Sequence, residues 1–198
     1  MNIVDYLTEL KSNLTKKKLK TIKTKYNLMK ASIKEWRSGE QDDRYVSRLF
    51  YAGVGSTSTG WTSIGYQILK EAGNLKKKVT KDHFMMPQFL GMMVMDLSDI
   101  YLTGKNSFEK FLDLSLLGSR VILTTKEENT RLAGQSTEFL KLGNGVDFLK
   151  YSVIDKYEAA NIKLWNETET NGVYDKFPLY IPQEVLDYEA KFINKDKV

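Results

Sequence analysis

The chain of 198 residues has no cysteine, which excludes disulfides, thiolate zinc sites and cysteine nucleophiles together and accords with a reducing interior. It has a single histidine, His83, so any imidazole chemistry must pass through that one position. No apolar run approaches the roughly 18 residues needed to cross a bilayer. The first residues, Met1-Asn2-Ile3-Val4-Asp5, lack a basic segment followed by an apolar block, so no secretory leader is expected and a cytoplasmic location is. No Gly-x-Ser-x-Gly elbow of a serine hydrolase is present. The glycine-rich stretch 53–60 lacks the Gly-Lys-Ser/Thr ending of a P-loop, and reads as a surface loop feeding a helix over 63–72. There is no internal repeat.

What is present suits a packed protein. The hydrophobic fraction is 41% and the aromatic fraction 12%, enough to fill a core. Net charge is +5, but it is unevenly spread. Residues 11–37 carry ten Lys or Arg and one acid, Glu35, a local charge of +9 that leaves −4 for the remainder. Such a block suggests a polyanionic partner, nucleic acid above all, although a solvated helix face has the same composition. Apolar residues at Ile3, Leu7, Leu10 and Leu14, then Ile22, Tyr26, Met29, Ile33 and Trp36, step by threes and fours. They predict a long basic N-terminal helix over 3–37, weakened at Lys16-Lys17-Lys18, packing on the body or on a second copy in a homodimer. The expected organisation is therefore a basic helical arm, 1–37, and a core domain, 38–198.

Further along, Phe89–Met95 is apolar nearly all round and reads as a buried helix, followed by a second helix with Phe108, Phe111, Leu112 and Leu116 on one face. Arg120–Thr124 has the β-branched density of a strand. Thr125-Lys126-Glu127-Glu128 is a capping box, which starts a helix and places Asn129 in its first turn. A helix is expected over 155–164 and a final one over 183–192. The fold class is thus α+β and mostly helical, with a small ββα centre.

Two stretches carry the candidate chemistry. Val79-Thr80-Lys81-Asp82-His83, with Pro87 shortly after, is an Asp-His pair on a predicted strand. Val121-Ile122-Leu123-Thr124-Thr125-Lys126-Glu127-Glu128-Asn129 is a strand running into a helix whose first turn offers an Asn. Their order resembles the HNH (ββα-metal) endonucleases of phage and homing type, whose motif ends in Thr-x-x-x-Asn; the two stretches cover under a tenth of the chain. The resemblance implies phosphodiester hydrolysis of DNA, with His83 as general base and one divalent ion, Mg²⁺ by preference, held by Asp82 and Asn129. It also implies a site rimmed by Lys76, Lys77, Lys78, Lys81, Lys126 and Arg131, which would neutralise DNA phosphates, in a bacterial or phage-infected cell. An imidazole with an unperturbed pKa near ~6.5 can take a proton at neutral pH, and a hard cation suits two oxygen donors.

The chain departs from the compact motif in three respects. Asp82 and Asn129 are 47 residues apart, so segment 88–118 must be an inserted helical hairpin. Asn106 is the only Asn between them that could orient the histidine. Neighbouring residues of a regular strand face opposite ways, so a twist must bring Asp82 and His83 to one site. Outside the resemblance, His83 reads as a half-buried strand histidine bonded to a backbone carbonyl and Asn129 as a second capping residue. The competing functional readings are a non-catalytic nucleic-acid-binding protein using the basic N-terminal helix, and a phage assembly protein oligomerising through it.

Overall fold

A computed structural model describes residues 3–41, 45–46, 48–50, 55–76, 78–132, 152–166, 173–174 and 179–193. In chain order its elements are α1 (Ile3–Ser12), α2 (Lys16–Ala31), α3 (Ile33–Arg37), β1 (Thr57–Ser63), α4 (Ile64–Glu71), β2 (Val79–His83), α5 (Pro87–Asp96), α6 (Ser98–Tyr101) and α7 (Ser107–Gly118). Then follow β3 (Arg120–Thr125), α8 (126–132), α9 (Lys156–Ala159), β4 (Leu164–Asn166), β5 (Val173–Tyr174) and α10 (Gln183–Ile193). The fold is α+β and mostly helical. No helix among the described residues is long and apolar enough to cross a membrane.

The chain forms two compact units, each built from two stretches of sequence: Met1–Thr57 with Met85–Arg120, and Ser58–Phe84 with Val121–Val198. The boundary expected at residue 37 therefore falls inside the first unit. Helix α2 contributes Ile22, Tyr26 and Met29 to that unit's core, while α1 and α3 bury no described residue fully.

The first unit is helical. The expected long helix is three helices. Helix α1 ends at Ser12, and Thr15 starts α2, its side chain accepting the Lys18 N–H at 3.2 Å. Ile22, Tyr26 and Met29, spaced four and three apart, put one face of α2 into the core. The Tyr26 ring lies edge-on to Phe108 and Phe111, with centroids 5.2 and 5.4 Å away. Pairs of this geometry add about 0.5–1.5 kcal/mol each beyond burial. The Tyr26 hydroxyl donates to the Leu102 carbonyl at 2.9 Å and lies 2.9 Å from Ser107 Oγ, so the one polar group on that face is satisfied. Trp36 Nε1 donates to Asp96 and Arg37 to Asp99, tying α3 to the ends of α5 and α6. Pro87 opens α5 at a position where a missing N–H costs nothing. Every α5 residue from Phe89 to Met95 is buried, as the all-round apolar pattern predicts. Segment 88–118 is thus helical as expected. Its turn before α7 depends on Gly104, where a Cβ would sit 2.2 Å from the Asp99 carbonyl oxygen.

The second unit is organised by a five-stranded sheet of order β2-β3-β1-β4-β5. Strands β2 and β3 are antiparallel, pairing Val79 with Thr125, Asp82 with Ile122 and His83 with Val121. Strand β1 pairs antiparallel with β4, Trp61 facing Asn166 and Ser63 facing Leu164. The loop read at 53–60 is in its second half this strand; Thr and Ser there contribute backbone to the ladder. The helix expected over 155–164 is shorter, α9, because the chain turns at Asn161 with φ +52° and then enters β4. The last helix, α10, matches its expected bounds to within a residue.

Candidate functional site

Strand β2 is a regular ladder partner of β3 through both Asp82 and His83. The alternation of a strand therefore sends their side chains to opposite faces, and no twist brings them together. Asp82 faces α9. Lys156 Nζ is 2.8 Å from Asp82 Oδ2 and donates at the same distance to the backbone carbonyl of His83. The Tyr157 hydroxyl donates to the same Asp82 oxygen. Only 11% of the Lys156 side chain and 16% of the Asp82 side chain are exposed, so this is a largely buried ion pair. Burial first, and then the facing Asp82 carboxylate, push the Tyr157 phenol well above its ordinary pKa, so it stays a donor. Lys156 Nζ also lies 4.9 Å from the Tyr157 ring centroid.

A second buried carboxylate lies in the same unit. Glu189 of α10 accepts the Ser152 hydroxyl at 2.7 Å and the Val153 N–H at 3.0 Å. Burial holds its pKa above the usual carboxylate value, opposed by those two bonds and by the Lys156 charge, and supported by Asp155.

The capping box forms. The Glu128 N–H donates to Thr125 Oγ1 at 3.1 Å, and the Thr125 N–H donates to Glu128 Oε2 at 2.8 Å. The same Glu128 oxygen accepts Ser63 Oγ at 2.5 Å, while Ser63 caps α4 by accepting the Tyr66 N–H at 3.0 Å. One buried carboxylate thus faces the N-termini of two helices, α4 and α8, where the dipoles favour negative charge. The fit is close: a Cβ on Gly65 would meet Glu128 Oε1 at 2.5 Å.

Asn129 is half-buried in the first turn of α8, as expected. The ladder nevertheless separates it from Asp82. Helix α8 leaves from Thr125, opposite Val79, and Asp82 lies three residues along β2, a distance of about 10 Å. The residues that the resemblance assigns to a divalent ion do not fit one in this arrangement. The Asp82 carboxylate already holds an ammonium and a phenol, and α8, which carries Asn129, starts three residues away along the ladder. Among the described residues no group of three or more His, Asp or Glu is placed to hold a metal ion. The half-buried His83 lies on the sheet face opposite Asp82. Asn106 stands at the N-cap position of α7 in the left-handed conformation, without a side-chain capping bond, in the first unit. Lys76, Lys78, Lys81, Lys126 and Arg131 are all exposed, and the Lys126 N–H donates to the Lys78 carbonyl at 2.9 Å beside the Val79–Thr125 end of the strand pair. Lys77 lies outside the described residues.

Lys156, Tyr157 and Glu189 were not legible in the sequence. Lys156 reaches Asp82 across 74 residues, and nothing in the local pattern of 155–164 marks it. Tyr157 reads there as one more apolar helix position.

The first unit presents the other charged feature. Helix α2 carries Lys16, Lys17, Lys18, Lys20, Lys23, Lys25 and Lys30, and no acid. Lys16, Lys20, Lys23 and Lys30 are exposed and, at 3.6 residues per turn, fall within an arc of about 80°. None of the four pairs with a carboxylate among the described residues. Lys23 and Lys30 lean toward the Phe108 and Tyr26 rings at 6.0 and 5.9 Å. By contrast Lys11 is paired with Glu109 and Asp113, and Lys18, its pKa lowered by burial, reaches Thr57.

Compared with protein-family models, with curated proteins and with solved structures, the chain matches none.

Proposed function

We propose that this is a nucleic-acid-binding protein whose contact surface is the lysine face of α2. The observation that carries the reading is a row of exposed lysines without acids on a helix whose apolar face is locked into a core. The row works against the helix that bears it. Lys16, Lys17 and Lys18 stand at the positive end of the dipole with no acid in the first turn, at a cost of about 0.3–1 kcal/mol for each unscreened charge. Lys16 and Lys20, four apart, repel by a few tenths of a kcal/mol, about 0.2–0.5. Local rules broken without internal compensation mark functional surfaces, and phosphates would supply the missing negative charge.

The test is binding of labelled oligonucleotides, single-stranded and duplex, by the wild-type chain and by a variant with Lys16, Lys20, Lys23 and Lys30 all changed to Gln. Loss of binding with an unchanged or raised Tm supports the reading, since the substitutions relieve repulsion. Equal binding by both proteins, or none by the wild type at low salt, ends it.

A second reading is DNA cleavage with His83 as general base. It is favoured by the β2–β3–α8 order, which has the strand–strand–helix sequence of the HNH motif, and opposed by the Lys156–Asp82 pair. Plasmid DNA incubated with Mg²⁺ and the wild-type protein, beside His83→Ala, decides it. Nicking that the substitution abolishes supports cleavage, and intact plasmid in both removes it.

A further inference from the structure

We infer that the lysine face of α2 takes double-stranded DNA, gripping the phosphate backbone without reading bases. The inference rests on the nucleic-acid reading above and specifies its ligand. Three observations carry it.

The first is what the face lacks. Binding single strands depends on aromatic side chains on which unstacked bases lie. Within the arc containing Lys16, Lys20, Lys23 and Lys30 the helix carries no aromatic, and the one ring beside it that is not buried, half-buried Phe108 of α7 at 6.0 Å from Lys23, is a single platform rather than a series. Tyr26, the only aromatic on α2, is buried with its hydroxyl bonded to Leu102 and Ser107. Asn27 is the single amide in the row, too little to discriminate bases along it.

The second is shape. The helix is one uninterrupted element of 16 residues, held on its core side by Ile22, Tyr26 and Met29. From Lys16 to Lys30 the row runs about 21 Å at 1.5 Å per residue. A duplex offers a phosphate every ~3.4 Å of axis on each strand. A rigid row of point charges matches a rigid row of phosphates, whereas a flexible single strand loses conformational freedom on lying along it.

The third separates DNA from an anionic bilayer. A basic amphipathic helix lies in a membrane by inserting its apolar face. Here that face is the core of the unit: Ile22 and Met29 are both 0% exposed. Only electrostatic attraction would remain for a lipid surface.

The experiment is a salt titration of binding by the full chain. The probes are a random-sequence duplex, one of its strands alone, a second duplex of different sequence, and vesicles rich in phosphatidylserine. If the four lysines each neutralise one phosphate, log K falls against log salt with a slope of about −3.6, roughly 150-fold between about 50 and 200 mM. The two duplexes bind equally, the single strand binds at least several-fold more weakly, and the vesicles do not compete. Each Lys→Gln change lowers the slope by about 0.9. Tighter binding to the single strand, or a strong preference between the duplexes, overturns this inference and leaves nucleic-acid binding standing. Competition by vesicles at equal charge overturns it in favour of a lipid surface. No binding to any probe ends both readings.

Discussion

Lys156 and Asp82, 74 residues apart in the chain, meet at 2.8 Å in a largely buried ion pair that joins α9 to strand β2. The ammonium satisfies the carboxylate and, through the His83 carbonyl, the end of the strand as well. Removing one partner leaves the other charge desolvated, a loss of about 3–5 kcal/mol. Lys156→Met is therefore expected to lower the urea midpoint severely. The double change Lys156→Met with Asp82→Leu should recover much of the loss, because two apolar side chains leave no orphan charge. A double variant as unstable as the single one would show that the pair's worth lies elsewhere.

Glu128 ties two helix starts together, and Gly65 lies against it. Glu128→Ala is expected to cost about 1–3 kcal/mol, the range for leaving buried donors without their acceptor. Gly65→Ala should destabilise in the wild type, where the new methyl meets Glu128 at 2.5 Å, and much less in the Glu128→Ala background. Chemical denaturation of the four proteins measures the coupling; strictly additive losses would contradict the close approach.

Glu189 makes stability depend on pH. Its folded pKa is raised by burial above the ordinary value of 4.5, so the folded state binds the proton more tightly than the unfolded chain does. Its contribution is present in full below pH 4.5 and is lost as pH rises through the folded pKa. Glu189→Gln, which keeps a side-chain carbonyl, should flatten that decline. Denaturation at a series of pH values above 4.5 reads it directly, and a variant with the wild-type slope would place the titration on another group.

Thr124 is 0% exposed and its hydroxyl has no hydrogen-bond partner among the described residues. Thr124→Val keeps the β-branched shape that suits strand β3 and removes the unsatisfied group. The expected gain is about 1 kcal/mol, seen as a rise in Tm. A fall of similar size would mean that the hydroxyl is satisfied in solution, for instance by an ordered water.

Short-range pattern settled a good deal of this protein. Pro87 and the unbroken apolar run after it specify α5, because burial on every side needs no partner to be named. The Thr125–Glu128 spacing specifies the start of α8, because both halves of a capping box lie within one turn. The branched residues of 120–124 specify β3, and the lysine row of α2 needs only the helical period to be seen. Tertiary structure alone decided the rest. The Ser- and Thr-rich stretch 57–63 became a strand because β3 on one side and β4 on the other supplied ladder partners, which its composition does not announce. Helix α2 joined the core, where Tyr26 found Leu102 and Ser107. Asp82 and His83 went to opposite faces because β3 held both in register, and Asp82 took the Lys156 ammonium where a divalent ion shared with Asn129 was expected. Contacts within a turn or a strand are encoded by neighbours, while an ion pair across 74 residues depends on where the topology brings two distant segments together.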